Sequence, residues 1–442
     1  MIGTVTTDIL VALVVLGIII VIHEFGHFAV AKLFGIKVET FSVGFGPRLF
    51  GFRRGETDYR ISALPLGGYV KMSGENPGDV ITGDPREFLS KPKWQRFLVA
   101  SAGPVMNIVL AFVLLTGLLM YGTEVPEFYN NQAVVGIVTP GSPADKAGIK
   151  VDDKIVAIDG KQKPNWQNIG LILGTNPNRS IPITVERQGQ RIDTTITPLL
   201  DDRSGMGEPG MGPLIRTVVK DVRAGGPASA AGVKPNDEIV AVNGVDLRSS
   251  GKQLTDAIQS VPSKTFPITV MRDGKPVDLN VSPVLEDGKK MIGVAIQPAT
   301  VMVKLGFTDA VAQSVQMNSE NAALILQVIG RLFRRQASLK QLNGPIGIVQ
   351  ASGEAASIGM AALVTLTAAI SLNLGLVNLL PIPILDGGVM LLLLIEFVMG
   401  RDLSLRIKER IVQVSMAFLL LMMVVVIYND VLKLLPASIT PK

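Results

Sequence analysis

The chain has no cysteine, so it can form neither disulfides nor thiolate metal sites, although this does not fix the compartment. Histidine occurs only twice. Charged residues make up only 18% of the 442 positions and hydrophobic residues 48%, with a mean hydropathy of +0.40. That balance is too apolar for an ordinary soluble protein and suits membrane segments joined to soluble parts. No basic run is interleaved with aromatics, and the net charge of +5 is spread out, which argues against a nucleic-acid partner. The length accommodates roughly two to four domains. The N-terminus lacks a basic leader and a small-residue cleavage site, so it reads as a retained span and not a signal peptide.

Both histidines fall in one motif, His23-Glu24-x-x-His27, inside the apolar run from about Asp8 to Phe34. Residues i and i+4 share a helix face, so both imidazoles can reach one metal ion, with Glu24 placed beside them as a general base. The alternative is a pair of polar residues satisfied inside a helix bundle, but ionisable groups at membrane depth are costly and usually functional. With no third histidine and no cysteine, an Asp or Glu must supply any third ligand.

Segment by segment, the pattern predicts a multi-pass α-helical membrane protein with four transmembrane helices, two inserted β-rich domains and a membrane-associated β-hairpin region. Residues 1–34 form the first span. Residues 35–96 hold Gly-rich turns between strand formers, Phe41–Pro47 and Pro65–Met72, which read as β-hairpins beside the metal or as ordinary cytosolic hairpins. Their many Lys and Arg residues put this segment and the metal site on the cytoplasmic side and both termini outside. Residues 97–121 form the second span, with Gly103 allowing close helix approach and Asn107 either near the metal or serving as interhelical glue.

An internal repeat follows. Gly141-Ser142-Pro143-Ala144 returns 84 positions on as Gly225-Gly226-Pro227-Ala228, and Asp153–Gly160 returns as Asp237–Gly244. Each copy, at 122–205 and 206–300, is similar to a PDZ domain in the permuted order of bacterial envelope proteases. Such a groove adds an extended peptide to a sheet edge. The groove strands are expected near Val135-Gly136-Ile137 and Leu214-Ile215, although neither copy has an obvious carboxylate loop, and the pair could instead only block access.

Residues 301–356 are expected to link the parts through an amphipathic interfacial helix over Asn321–Leu339, with Arg331, Arg334, Arg335 and Lys340 near its end. The third span lies within 357–388 and ends in Asn378-Leu379-Leu380-Pro381-Ile382-Pro383-Ile384-Leu385-Asp386-Gly387. Asp386 is either the missing metal ligand or the N-cap of the helix that follows. Within 389–410, residues 389–399 form an apolar helix too short to span, in which Glu396 is either a group supporting the metal site or an interfacial carboxylate, and 411–435 form the fourth span.

Taken together, the chain resembles the site-2 protease family of intramembrane zinc metalloproteases. The resemblance rests on His23-Glu24-x-x-His27, Gly103-x-x-x-Asn107, Asn378-x-x-Pro381-x-Pro383-x-Leu385-Asp386-Gly387 and the PDZ pair, in the family's order. It implies one zinc ion per chain held by His23, His27 and Asp386, with Glu24 as base. Asn378 and Asn373 would contact the substrate helix, and a hairpin of Gly67, Gly68, Tyr69, Val70, Lys71 and Met72 would clamp an unwound strand. It also implies a bacterial inner-membrane location, periplasmic PDZ-like domains and single-span substrates, such as a trimmed anti-sigma factor and remnant signal peptides. A monomer is expected. The competing readings are a non-catalytic PDZ adaptor for exported peptides, which leaves the metal motif unused, and a zinc transporter, which would need more ligands along the spans.

Overall fold

The computed structural model describes residues 2–75, 82–201, 204–247, 254–286, 288–333 and 344–434. The chain divides into two compact units, Met1–Thr123 with Lys304–Lys442, and Glu124–Val303.

The first unit contains seven helices among the described residues: α1 (Ile2–Leu33), α2 (Lys93–Tyr121), α3 (Phe307–Phe333), α4 (Pro345–Ile358), α5 (Met360–Asn378), α6 (Asp386–Met399) and α7 (Leu405–Leu434). Among the described residues, four stretches are long and apolar enough to cross a membrane: Thr6–Leu33, Lys93–Tyr121, Met360–Asn378 and Arg406–Lys433. Large apolar side chains such as Val14, Val113, Leu421 and Val424 stand exposed on them. That is the reverse of a soluble helix bundle and is the pattern of lipid-facing surfaces. The second span is central: α2 packs against α1, α3, α5 and α6. Ala111 and Leu115 of α2 meet Ala368 and Leu372 of α5 in a small, tightly packed core.

Two expectations need adjusting here. The third span does not run on from residue 357, because Gly359 at φ 138° breaks the helix and α5 begins at Met360. The interfacial helix starts earlier than Asn321, at Phe307. Residues 334–343 lie outside the described residues, as do the side chains of Arg331, Arg334, Arg335 and Lys340.

Residues 38–72 do not form two separate hairpins. They form two long antiparallel strands, β1 (Val38–Arg54) and β2 (Thr57–Met72), joined at Gly55-Glu56. Both strands bend. Residues 40–43 pair with 58–61 on one side and with 68–71 on the other, while 50–54 pair with 57–61. The result is a folded sheet in which Gly68–Met72 is an outer edge and not a hairpin tip. Repeated register shifts between Val38 and Phe50 accommodate the bend.

In the second unit the repeat is visible in backbone pairing. Strand Lys154–Ile158 pairs with Ile181–Arg187, which pairs with Gln190–Ile196. Strand Glu238–Val242 pairs with Phe266–Arg272, which pairs with Lys275–Val281. Each first pairing carries a register shift at the equivalent place, Ile155/Ala157 and Ile239/Ala241. Each copy has its own apolar core, one around Ile155, Ile169 and Ile181, the other around Ile239, Ile258 and Phe266.

The division at residue 206 shifts. Gly207-Glu208 pairs with Leu199-Leu200, and Met211–Pro213 pairs with Val135–Val138, so these residues complete the first copy. Leu214 donates its backbone N–H to the Val134 carbonyl, again in the first copy. The second copy's counterpart of Val135 is Val219, in strand Thr217–Val222, because each donates to the carbonyl of the repeated aspartate, Asp153 or Asp237. Leu214 and Ile215 therefore precede that strand and do not begin it.

Candidate metal centre

His23 and His27 lie one turn apart on α1, and their rings meet edge to face at 4.9 Å. Their Nε2 atoms are 3.2 Å apart. Asp386 reaches the same point from the far end of the chain. Its Oδ2 is 3.1 Å from His23 Nε2, and its Oδ1 is 3.5 Å from His27 Nε2. The N-cap of α6 is Leu385, with no side-chain cap bond, so Asp386 occupies the first helical position and turns its carboxylate to the imidazoles.

The local sequence explains this placement. Asn378 ends α5, and the segment through Pro381 and Pro383 turns sharply because neither proline can continue a helix ladder. A side chain at Gly387 would run into the Leu379 and Leu380 carbonyls, so only glycine lets the turn close behind Asp386. On the other side, a Cβ at Gly103 would lie 2.8 Å from His23 Cε1 and would strike His27 Nε2. Glycine at this point of α2 lets both imidazoles sit against the helix backbone.

Hydrogen bonds set the rings. His27 Nδ1 lies 2.8 Å from the Val99 carbonyl, which can only accept, so Nδ1 carries the proton and Nε2 presents its lone pair. His23 Nδ1 meets the Asn107 side-chain amide at 3.1 Å. Asn107 is fully buried and its Oδ1 has no partner. Turning the amide about its axis gives that oxygen the His23 Nδ1–H and frees His23 Nε2 in the same way. Ser371 Oγ donates to the Asn107 carbonyl at 2.8 Å and ties α5 to this point.

The three donors fit a metal ion by type and by spacing. Two imidazole nitrogens and a carboxylate oxygen form an established zinc donor set. Zinc bonds of 2.0–2.2 Å in a tetrahedron put ligand atoms about 3.3 Å apart. The observed separations of 3.1, 3.2 and 3.5 Å bracket that value. Among the described residues, His23, His27 and Asp386 are the group of three so placed. A tetrahedral ion held by three protein ligands keeps one position open.

Glu24, Tyr69, Val70 and Met72 line a cavity of about 410 Å³ together with His23, His27 and Asp386. A Cβ built at Gly68 would meet Glu24 Cγ at 3.1 Å, which places the β2 edge beside the carboxylate. Asn378 Nδ2 is 3.5 Å from His23 Nε2, so it borders the centre. Asn373 is exposed and makes no contact there, and Lys71 turns outward to Glu39 at 2.8 Å. Arg96, Glu396 and Lys408 line the same cavity; of these the sequence singled out only Glu396, as a group supporting the centre or an interfacial carboxylate. Arg96 carried little signal because it stands just before the apolar run at 97–121, and only the structure extends that helix back to Lys93. In the second unit, Gly136, Ile137, Leu214 and Ile215 line a separate hollow of about 280 Å³ with Leu254 and Pro298.

The sequence pattern of peptidase family M50 matches residues 11–422. A putative zinc metalloprotease of Treponema pallidum is 32% identical over 443 residues, covering 96% of this chain and 98% of that protein. One from Vibrio cholerae is 32% identical over 448 residues, with the same coverage. The regulator of sigma-E protease RseP of Escherichia coli is 32% identical over 448 residues, again covering 96% and 98%.

Proposed function

The chain belongs to peptidase family M50 and is a membrane metalloprotease, and on that premise we propose that it hydrolyses peptide bonds within the membrane segments of single-span proteins. The observation that carries the reading is the set of three donor atoms at tetrahedral spacing beside Glu24, inside a bundle of membrane-length helices. An adaptor that only held peptides would have no use for it.

In this reading His23, His27 and Asp386 hold one zinc ion per chain. Zinc, when bound, supplies a Lewis acid for the scissile carbonyl and makes water a nucleophile near neutral pH. Glu24 takes the proton from the attacking water and returns it to the departing amide nitrogen, so the C–N bond breaks with no net proton change. Val99 and Asn107 hold the two imidazoles in the tautomer that keeps Nε2 free. Asn378, at the rim, steadies the substrate.

A substrate helix hides its carbonyls in its own ladder and must unwind before it can be cut. The outer edge of β2, Gly67 to Met72, offers backbone groups to the unwound strand and compensates the bonds it gives up. The second unit serves as two PDZ-like domains, 122–205 and 206–300 with the shift noted above, on the periplasmic side of the inner membrane. There they screen out substrates whose outer parts have not been trimmed. The Escherichia coli relative bears the name regulator of sigma-E protease, and in line with that name one substrate class proposed here is a membrane-bound anti-sigma factor. Remnant signal peptides are another.

The test is Glu24→Gln in the purified full chain. The variant is expected to retain its zinc and to lose cleavage of a single-span reporter. Cleavage at the wild-type rate would remove the protease reading.

A further inference from the structure

Arg96 is 4% exposed, and its Nε is buried without a hydrogen-bond partner. It lines the cavity that holds His23, Glu24, His27 and Asp386. The carboxylates around it are already engaged. Glu396, 1% exposed, receives Lys408 Nζ at 2.6 Å and the Leu403 N–H at 2.9 Å. Asp402 receives Lys93 Nζ at 2.9 Å, and Lys93 also donates to the Glu396 carbonyl. Arg96 feels the charge of Asp402, which Lys93 already holds, but among the described residues its side chain makes no hydrogen bond or close ion pair of its own. A buried guanidinium is costly unless paired, and its planar fork matches a carboxylate bidentately.

We infer that Arg96 is a subsite of the substrate cleft that binds a carboxylate of the peptide being cut. The inference rests on the protease reading and names a feature of its substrate. Arg96 precedes Gly103 by two helical turns, and Gly103 touches both imidazoles, so about 10 Å of helix separates Arg96 from the metal centre. An extended peptide advances about 3.3 Å per residue, which places the recognised carboxylate about three residues from the scissile bond. An Asp or Glu side chain or a chain-terminal carboxylate has the required chemistry. The cavity's continuity with the reacting groups favours a peptide over a lipid phosphate.

The test uses the full-length, zinc-loaded protein with Glu24→Gln, so that binding is read without cleavage. The probes are labelled single-span peptides in which one Asp, or the isosteric Asn, is moved residue by residue on both sides of the cut, with a further set ending at those positions. Asp is expected to bind about ten-fold tighter than Asn at one position, about three residues from the cut. Arg96→Gln should abolish that preference while keeping full zinc content, and Arg96→Lys should keep part of it. In the active enzyme the preference should appear in KM and not in kcat. Equal affinity for Asp and Asn at every position would overturn the inference, as would a preference that survives Arg96→Gln. No favoured Asp position in neutral lipid, together with peptide binding that anionic phospholipid or inorganic phosphate inhibits in the Arg96 protein but not in Arg96→Gln, would overturn the inference and assign Arg96 to phosphate instead. If the active enzyme cuts no reporter, the protease reading fails, whereas the binding series still reports on Arg96 alone.

Discussion

Asn107 places its side-chain amide 3.1 Å from His23 Nδ1, across 84 positions of sequence. The contact joins the second span to the first at the candidate metal centre, and Asn107 is wholly buried. Groups that orient a ligating histidine typically contribute 10- to 100-fold in metal affinity. Asn107→Leu, close in volume but unable to accept a hydrogen bond, is expected to weaken zinc binding by about that factor. Competition with a graded series of chelators measures it. Unchanged affinity would leave Asn107 as packing between helices.

Gly103 faces the same two rings. A methyl group there has no space to occupy, because the imidazoles cannot move away without leaving Asp386. Gly103→Ala is expected to destabilise the bundle by about 1–3 kcal/mol, the usual cost of overpacking, and to lower zinc content. Gly117 lies further along α2 with nothing within 4 Å of its added Cβ. Gly117→Ala is expected to retain zinc and to melt at or slightly above the wild-type temperature. Thermal unfolding with zinc stoichiometry on both variants separates crowding at the centre from a general effect of alanine in the helix.

What the sequence disclosed depended on whether a local rule fixed the outcome. His23 and His27 were legible because helical period alone puts them on one face. Asp386 was legible because prolines and glycines around a lone carboxylate leave few other roles, and its alternative as N-cap gave way only when Leu385 was seen to occupy that position. The β1–β2 sheet was not legible in detail. Its strand formers were evident, but the register shifts that fold residues 40–43 between two other segments arise from packing on α1. Leu214-Ile215 looked like the start of the second copy's groove strand because it is apolar beside a turn. Counting one repeat length from Val135 would have pointed to Val219. Arg96 was absorbed into a count of basic residues, since its burial depends on α6 and the cavity, which no local pattern reveals.

The ion pairs repeated in the two copies of the second unit, Arg187–Asp153 and Arg272–Asp237, give a prediction in pH. Asp237 is 1% exposed, and burial by itself would raise its carboxyl. The Arg272 guanidinium, at 2.6 Å, and the Lys234 backbone N–H outweigh burial and hold it below the ordinary carboxylate range. A depressed folded-state value means that the unfolded chain takes up the proton first. The stabilisation is therefore complete above the unfolded value, about pH 4, and declines as pH falls through the lower folded value. Arg272→Met leaves Asp237 buried and unpaired. It is expected to cost about 3–5 kcal/mol at neutral pH, typical of breaking one side of a buried pair. The deficit relative to wild type should shrink below about pH 4, where Asp237 of the variant is already neutral. Unfolding of the second unit in the full chain, followed by denaturant titration at several pH values, checks both the size and the direction. A deficit that stayed constant across that range would mean that Arg272 acts through packing of its aliphatic stem and not through the charge of Asp237.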